Sequence, residues 1–227
     1  MATGAGQAKS PGWEVFAQWH ALIDARDPRF TLLSTVQDVA GTLVRFEATI
    51  TQSTWNMQRH HTVDALRDPL GLDASGRRKG LELRFILPRR VAQQRSPLAS
   101  SYYDYLRLAP VAHPLMIGDR RQILVGDSTG ETVWTSSDAE VVARAVDFYE
   151  RLWASAEPAV PVGDEPPFTR RMVDIALLLV TGATDREIAQ ALGVSERTVS
   201  SDVRELSARL GARSRAQAIA MISGAAG

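Results

Sequence analysis

The stretch from Thr184 to Val199 reads Thr-Asp-Arg-Glu-Ile-Ala-Gln-Ala-Leu-Gly-Val-Ser-Glu-Arg-Thr-Val. Three of its apolar residues recur with helical spacing: Ile188, Ala189 and Leu192. The pattern ends at Gly193, and Ser195 then supplies a side chain that commonly caps the start of a helix. The stretch therefore predicts two helices joined by a tight turn that contains glycine. The second helix of such a pair can lie in the major groove of DNA.

The sequence on either side predicts two more helices, so that four helices extend from Phe168 to about Ile222. Each predicted end has a residue that starts or stops a helix. These residues are the N-caps Thr169, Thr184 and Ser195, the capping-box partner Glu187, and the C-terminal glycines Gly182 and Gly211. The segment therefore has its own start and stop signals, and we expect it to form a small all-α domain.

The segment from Phe168 to Ile222 resembles the helix-turn-helix domain of LuxR-type regulators. The shared pattern comprises Phe168-Thr169, Leu178-Leu179, Gly182, Glu187-Ile188-Ala189, Leu192-Gly193-Val194-Ser195, Thr198-Val199, Val203, Leu210-Gly211 and Arg213-Ser214-Arg215. Core packing explains the aliphatic matches, but it does not explain the capping and turn residues as well. The resemblance implies a four-helix domain that binds double-stranded DNA.

The resemblance places the DNA contacts on the exposed face of the third helix and at the start of the second. The candidate residues are Thr184, Ser195, Arg197, Thr198, Ser200, Ser201, Arg204 and Arg209. Those in the first turn of the third helix are placed to meet phosphate groups. Ser200, Ser201 and Arg204 are placed to reach base edges or the nearby backbone.

Two positions depart from the family pattern. Many relatives have lysine at the position of Ser200 and histidine at the position of Asp202. Asp202 either puts a negative charge close to DNA or pairs with an arginine. We expect a low intrinsic affinity for DNA, so that dimerisation or a tandem site becomes more necessary.

Composition excludes several classes of site. The chain of 227 residues has a formal net charge of zero, no cysteine and four histidines. It therefore has no disulfide, thiolate zinc site, iron–sulfur cluster or cysteine nucleophile, and we expect no metal and no cofactor. No apolar run reaches about 18 residues, and the N-terminus lacks a secretory h-region. We expect a cytoplasmic protein with no membrane contact.

Composition also predicts the domain boundaries. Residues 1–12, rich in Gly, Ala and Ser, are expected to form a disordered lead. Residues 13–156 are expected to form an α/β domain with a mixed sheet, and residues 168–227 the LuxR-type domain. Between them, residues 157–167 contain four prolines and are expected to form a linker.

Periodicity predicts the elements of the N-terminal domain. The expected helices cover residues 13–26, 32–50, 60–66, 96–108 and 139–154. The expected strands cover residues 53–58, 81–87 and 131–135, together with a strand-turn-strand unit from Val111 to Asp127 that turns at Gly118-Asp119.

A second resemblance begins at the run from His113 to Arg120. With the strand that follows and a terminal helix that closes on Leu152-Trp153, it resembles the half-domain of phospholipase D-like folds found in some actinobacterial and TrmB-like regulators. Active members carry a lysine two residues after the histidine and an aspartate further on. Leu115 and Arg120 occupy those positions here. We therefore expect no enzyme activity.

The same resemblance leaves His113 as a structural or ligand-contacting remnant and Asp119 as a turn residue only. Related half-domains pair, which implies a homodimer. A homodimer would present two DNA-binding domains to a pseudo-palindrome about one helical turn apart.

A basic region offers a candidate ligand site. Arg89 and Arg90 follow the strand predicted at 81–87, at the end where open α/β sheets often place ligands. Together with Arg77, Arg78, Lys79 and Arg95 they form either an anion-binding cluster or a solvated basic loop. The candidate residues for binding a small-molecule effector are Arg89, Arg90 and His113.

These observations predict a sequence-specific, DNA-binding transcriptional regulator that is dimeric. Its N-terminal domain would serve dimerisation and small-molecule sensing. Two alternatives remain open. One is a phospholipase D-like phosphodiesterase with an accessory helix-turn-helix. The other is a co-regulator that docks on another protein and binds DNA only weakly by itself.

Overall fold

The computed structural model of the protein describes residues 12–34, 39–59, 79–94, 97, 100–127, 132–161 and 164–223. The α-helices in these ranges are α1 (Glu14–Asp24), α2 (Val39–Ala48), α3 (Arg89–Gln94), α4 (Ala139–Ser155), α5 (Arg170–Val180), α6 (Asp185–Leu192), α7 (Glu196–Leu210) and α8 (Arg215–Ser223), and a 3₁₀ helix covers Ser100–Tyr105. The helix predicted at 60–66, nearly all of the expected lead and most of the basic loop lie outside the described residues. Within the described part, no helix is both long enough and apolar enough to cross a membrane.

The N-terminal domain is built on one mixed sheet. Its strands are β1 (Thr31–Ser34), β2 (Ser53–Met57), β3 (Glu82–Leu87), β4 (Leu106–Leu108), β5 (Leu115–Gly118), β6 (Gln122–Gly126), β7 (Val133–Ser136) and β8 (Glu157–Pro158). Their order across the sheet is β1-β7-β6-β5-β2-β3-β4-β8. The pairs β2–β3 and β3–β4 are parallel and the others antiparallel. The predicted mixed α/β architecture is confirmed.

Helices cover both faces of the sheet. On one face, α1 and α4 pack against the alternate strand residues that include Trp55, Met57 and Ile117, which are all nearly inaccessible to solvent. On the other face, α2 contributes Phe46 to a cluster with Met116 and other strand residues. Because β5 and β6 lie in the middle of the sheet between these layers, four residues in succession are buried in each of them.

The turn between β5 and β6 has the geometry of a type I′ hairpin. Asp119 and Arg120 have φ angles of 51° and 55°, and the Arg121 N–H donates to the Gly118 carbonyl at 2.9 Å. The Asp119 carboxylate also accepts hydrogen bonds from the three backbone N–H groups of Thr51–Ser53 at 2.7–2.9 Å. Burial alone would raise the pKa of Asp119, but these hydrogen bonds lower it below the ordinary value. Asp119 is therefore more than a turn residue, since it anchors the start of β2.

The helix predicted at 32–50 is wrong at its start. Residues Thr31–Ser34 form β1, an edge strand that pairs with β7 through Thr31 and Thr135. Leu32 and Leu33 are 55% and 40% exposed, so neither marks a buried face. The prediction began too early because the apolar residues after β1 recur with helical spacing, and a strand of only four residues does not visibly break that spacing.

The helix predicted at 96–108 is also wrong at its end. Its last three residues form β4, which pairs in parallel with β3, Phe85 opposite Leu106. The chain gives no local signal for this strand because its partner lies about 20 residues away and supplies the hydrogen bonds. Within the predicted range, Ser100–Tyr105 form a 3₁₀ helix.

The sheet extends into the predicted linker. Glu157–Pro158 form β8, which pairs with β4 at Arg107 and Leu108. Proline is compatible with this position because β8 is an edge strand, where the missing N–H group costs no hydrogen bond. A proline-rich composition therefore did not prevent this short pairing.

The four C-terminal helices follow their predicted caps. Thr169 accepts the Met172 N–H at 3.3 Å, and Thr184 and Glu187 form a complete capping box. Ser195 accepts the Thr198 N–H at 3.1 Å. Gly193 and Gly211 end α6 and α7 with φ angles of 65° and 70°, which favour glycine. The helices share a core of their own: Phe168, Met172, Val173, Ile175, Ala176, Leu177, Leu179, Ile188, Ala189, Val199, Val203, Leu206 and Ile222.

Candidate DNA-binding surface

Helix α7 has two faces of opposite character. The inner face consists of the buried residues Val199, Asp202, Val203 and Leu206. The outer face consists of the exposed residues Arg197, Ser200, Ser201 and Arg204. The tight turn at Gly193 packs α6 against α7, and Asp185 of α6 contacts Ser200 of the outer face. The structure thus brings four of the predicted DNA contacts onto one surface.

The start of α7 is organised by hydroxyl groups. Ser195 caps the helix, and its Oγ lies 2.8 Å from the Oγ1 of Thr198. Thr184 does the same at the start of α6, where its hydroxyl and its N–H both contact the Glu187 carboxylate at 2.8 Å. The side chains of these three candidates are therefore engaged in capping. They hold the positive N-terminal end of α7 in place, which is a favourable site for phosphate.

Asp202 faces the core and is neutralised there. It is only 7% exposed, and Arg171 of α5 donates to both of its carboxylate oxygens at 2.6 and 3.2 Å. This bidentate contact raises the pKa of Arg171 above its ordinary value. Of the two alternatives for Asp202, pairing with an arginine is confirmed and a negative charge turned towards DNA is wrong. The expectation of a low intrinsic affinity stays a prediction that now rests on Ser200, which stands where many relatives have lysine.

A second acid, Asp185 of α6, contacts residues of two other helices. Its carboxylate accepts a hydrogen bond from Ser200 of α7 at 2.7 Å and forms an ion pair with Arg215 of α8. Arg215 also donates to the Ala183 carbonyl at 2.8 Å. The ion pair and the Ser200 hydrogen bond lower the pKa of Asp185. Ser200 therefore positions α7 on α6 as well as lining the outer face.

The sequence reading missed Arg171 and Asp185 as functional residues. Both act through other residues, Arg171 through Asp202 and Asp185 through Ser200. The sequence does contain a signal for Arg171. Asp202 lies on the same helical stripe as the apolar residues Val199, Val203 and Leu206. An acid on a buried stripe requires a cationic partner from a neighbouring helix.

Arg197 and Arg204 are exposed cations without a carboxylate partner among the residues that the structure describes. They are seven residues apart, which places them two turns and about 10 Å apart along the outer face. Two exposed acids are nearby. Glu205 pairs with Arg209 at 2.6 Å, and Glu196 lies in the first turn. The outer face keeps two positive charges available for an external anion.

Arg209 is separated from the other candidates. It lies in the last turn of α7, where it contacts Glu205 and donates to the Pro167 carbonyl. From Ser195 to Arg209 the helix rises about 21 Å. The structure therefore directs Arg209 towards the segment before α5 rather than towards the outer face.

The candidate ligand residues are not joined in one cluster. Arg89 forms an ion pair with Glu157, whereas His113 stacks on Phe16 with ring centroids 4.9 Å apart. Lys79 donates to the Glu47 and Ile50 carbonyls, both at 3.3 Å. Because Lys79 precedes β3 and Arg89 follows it, the length of that strand separates the two residues. Arg90 is exposed at the start of α3. Arg77, Arg78 and Arg95 lie outside the described residues.

His113 has the environment of a packed residue. Its Nδ1 atom is buried and has no hydrogen-bond partner among the described residues. Burial lowers its pKa, and the nearby His20 and Arg59 lower it further. Leu115 lies in β5 and is 1% exposed. In the described part of the chain, no three His, Asp or Glu side chains are grouped so that they could hold a metal ion.

Comparison with known families identifies the C-terminal region. Residues 166–222 match the family model described as bacterial regulatory proteins, luxR family. The C-terminal domain is a LuxR-type helix-turn-helix domain. This domain type binds DNA. The structure shows its expected four helices, with α7 as the third.

Among solved structures, the N-terminal domain is similar to two proteins. TrmBL2, an archaeal chromatin protein, has a TM-score of 0.46 and 15% identity over 64% of this chain and 64% of its own. NucT from Helicobacter pylori has a TM-score of 0.46 and 14% identity over 57% of this chain and 96% of its own. The chain therefore spans less than two thirds of the TrmBL2 chain.

A third solved structure is the ligand–DNA complex of VqmA from Vibrio cholera, with a TM-score of 0.25 and 19% identity over 50% of this chain and 48% of that chain. No curated protein matches the sequence. The LuxR-type domain is thus identified by its family model and by the caps, glycine turns and core described above.

Proposed function

We propose that this protein is a cytoplasmic, sequence-specific transcriptional regulator that reads DNA with the outer face of α7. One observation carries the proposal, namely the distribution of charge around that helix. Arg197 and Arg204 are exposed and unpaired among the described residues, whereas Asp202 is buried and both Asp202 and Asp185 are paired with arginines. A surface that retains two cations while Asp185 and Asp202 are neutralised by arginines is suited to the DNA backbone and groove.

In the proposed complex, α7 lies in the major groove. Ser201 and Arg204 would reach base edges, while Arg197 and the N-terminal end of α7 would meet phosphates. The hydroxyl caps at Thr184 and Ser195 would fix the two helices before DNA arrives. Less conformational entropy would then be lost on binding.

We further propose that the protein binds as a homodimer. The whole chain has a formal net charge of zero, so one LuxR-type domain receives little general attraction to DNA from the rest of the molecule. Two such domains on a two-fold axis would engage two half-sites about one helical turn, roughly 34–36 Å, apart. The N-terminal domain would hold them together.

The proposed role is regulatory rather than enzymatic. Leu115, at the position where phospholipase D-like enzymes carry lysine, is buried in a central strand, and His113 is packed against Phe16. This environment favours a structural role for His113. The docking alternative depended on Asp202 facing DNA, and the ion pair with Arg171 removes that argument.

Selection of binding sites from a random double-stranded DNA library tests the proposal with the full chain. We expect enrichment of a sequence with two related half-sites. Fluorescence anisotropy should then show that the double variant Arg197→Ala, Arg204→Ala loses at least about 30-fold in affinity, in line with roughly 1–3 kcal/mol for each specific contact. Arg151→Ala, which removes an exposed arginine from α4, serves as the matched control and should bind normally.

Two results would contradict the proposal. Either no sequence is enriched above the starting library, or the double variant binds the selected site as well as the unaltered protein. The dimer is tested separately by light scattering of the complex. One chain on one half-site would reject the dimer while leaving sequence-specific binding intact.

A further inference from the structure

A cleft lies between the sheet domain and the LuxR-type domain. Its walls come from α3, the 3₁₀ helix, the end of β4, the residues after β8, the residues before α5 and the last turn of α7. Its volume is about 690 Å³. Sites for small organic molecules occupy roughly 300–1,000 Å³, so the cleft has the size of a ligand site.

The lining combines apolar surface with cations. Ala92, Leu108 and Phe168 supply apolar groups, and Tyr103 adds an aromatic ring. Burial raises the pKa of Tyr103, so this side chain remains neutral at physiological pH. Arg89 and Arg209 are the charged residues among the described lining. No aspartate or glutamate is among that lining, but each arginine has an ion-pair partner outside it, Glu157 for Arg89 and Glu205 for Arg209.

The two arginines come from different domains and keep hydrogen-bonding capacity. Arg89 contacts Glu157 through Nη2, which leaves Nε and Nη1 for another acceptor. Arg209 contacts Glu205 and the Pro167 carbonyl, but a guanidinium has five N–H donors. Neither Glu157 nor Glu205 is among the residues that line the cleft. An anion that enters the cleft would therefore meet the guanidinium N–H groups that Glu157, Glu205 and the Pro167 carbonyl leave free.

We infer that this cleft is a binding site for a small amphipathic organic anion. The acidic group of the ligand would contact Arg89 and Arg209, and its apolar body would lie on Leu108, Phe168 and Tyr103. The inference does not depend on DNA binding, because the cleft lies at the end of α7 opposite its capped N-terminus.

A ligand in the cleft would connect the two domains. It would touch Arg209 in the last turn of α7, Phe168 just before α5, and Arg89 in the sheet domain. Occupancy would therefore fix the position of the LuxR-type domain against the sheet domain. If the proposed function is correct, occupancy would also change the spacing of the two DNA-binding domains in the dimer, and with it the affinity for a site of given spacing.

Binding of anilinonaphthalene sulfonate to the full chain, measured by its fluorescence in the absence of DNA, tests the inference. We expect saturable binding of one probe per chain. Arg209→Gln and Arg89→Gln should each weaken it by about 10-fold or more, the usual effect of losing a hydrogen bond to a charged group. Arg151→Gln is the matched control, because it also removes an arginine paired with a carboxylate four residues away on a helix.

The neutral probe N-phenylnaphthylamine separates charge recognition from apolar binding. We expect it to bind more weakly than the sulfonate and to be insensitive to both arginine variants. Arg209 also holds Pro167, so a loss seen only with Arg209→Gln would reflect a displaced linker and would count against the inference. Arg89→Gln leaves that contact in place, and thermal unfolding by circular dichroism checks that both variants remain folded.

Non-saturable binding of the sulfonate, or equal binding to all three variants, would overturn the inference. A protein that fails to bind DNA but binds the sulfonate through Arg89 and Arg209 would refute the proposed function and leave the cleft assignment standing. A protein that binds DNA but does not bind the sulfonate through these arginines would refute the cleft assignment alone.

Discussion

The inner and outer faces of α7 both contain charged residues, but of opposite sign and in different surroundings. The inner face contains an acid, Asp202, that is 7% exposed and held by Arg171. The outer face contains the exposed cations Arg197 and Arg204, which have no such partner among the described residues. Since the two faces alternate along one helix, neighbours in sequence have different surroundings. The sign of charge that DNA would meet is decided by packing rather than by composition.

This difference shows how a buried acid can be compatible with DNA binding. A carboxylate turned towards DNA would repel phosphate, but the same carboxylate on the inner face joins α5 to α7. Asp185 has a similar role, since it joins α6 to Ser200 and Arg215. Both acids therefore position α7, Asp202 from the inner face and Asp185 through Ser200.

The largest expected effect comes from the inner face. Leu206 is fully buried, so Leu206→Ala should destabilise the LuxR-type domain by about 2–5 kcal/mol through lost contacts and a cavity. Chemical denaturation followed by far-ultraviolet circular dichroism measures the loss. All five tryptophans precede residue 154, so their fluorescence reports on the sheet domain and should not shift. Ser201→Ala on the outer face is the control and should change stability by less than about 0.5 kcal/mol.

The next effect concerns the outer face. Arg204→Ala should leave stability unchanged and weaken binding to the selected DNA by about 1–3 kcal/mol if Arg204 contacts a base. If it contacts phosphate, the slope of log affinity against log salt should flatten by about one. Anisotropy titrations at several salt concentrations distinguish these cases. Unchanged affinity and slope would remove Arg204 from the interface.

A smaller effect is expected for Asp185, and it concerns the stability of the LuxR-type domain in acid. The folded state lowers the pKa of Asp185 below its ordinary value, so its stabilising contribution is complete above about pH 4. That contribution is lost as the pH falls through the lowered pKa. Asp185→Asn should therefore make acid unfolding of the LuxR-type domain less steep below about pH 4, as followed by circular dichroism. An identical acid profile would show that the ion pair with Arg215 does not contribute.

The smallest effect is expected for Asp202. Because its carboxylate faces α5, Asp202→Asn should leave the salt dependence of DNA binding unchanged within error. The same anisotropy titrations measure it, with Arg204→Ala as the positive comparison. A clear gain in affinity that diminishes with added salt would mean that Asp202 senses DNA, and the contrast between the two faces would fail.

The two domains also differ in how far their sequence predicts them. In the LuxR-type domain, helix ends have local causes, such as Thr184 with Glu187 or Gly193 with its positive φ. In the sheet domain, β1, β4 and β8 depend on hydrogen bonds from strands far away in the chain. Local periodicity therefore predicted helix for the first two segments, and the proline-rich composition predicted a linker for the third.

The candidate sites show the same division. The outer face of α7 follows from helical spacing and from the family resemblance, and the structure brings Arg197, Ser200, Ser201 and Arg204 together there. Arg209 belongs to the same helix, yet it is placed against the segment before α5. The cleft between the domains has no sequence signature, because Arg89 and Arg209 are 120 residues apart in the chain and meet only through the docking of two domains.

The sequence by itself determined the four-helix LuxR-type domain and the mixed α/β architecture. These features follow from caps, glycines and periodicity, which act over a few residues, whereas the proposal that α7 faces DNA rests on the family resemblance. Only the tertiary structure decided which charges remain available, since Asp202 and Asp185 are neutralised by arginines from other helices. Ion pairs and clefts depend on distances between segments remote in the chain, and those distances exist only after the helices and strands have packed.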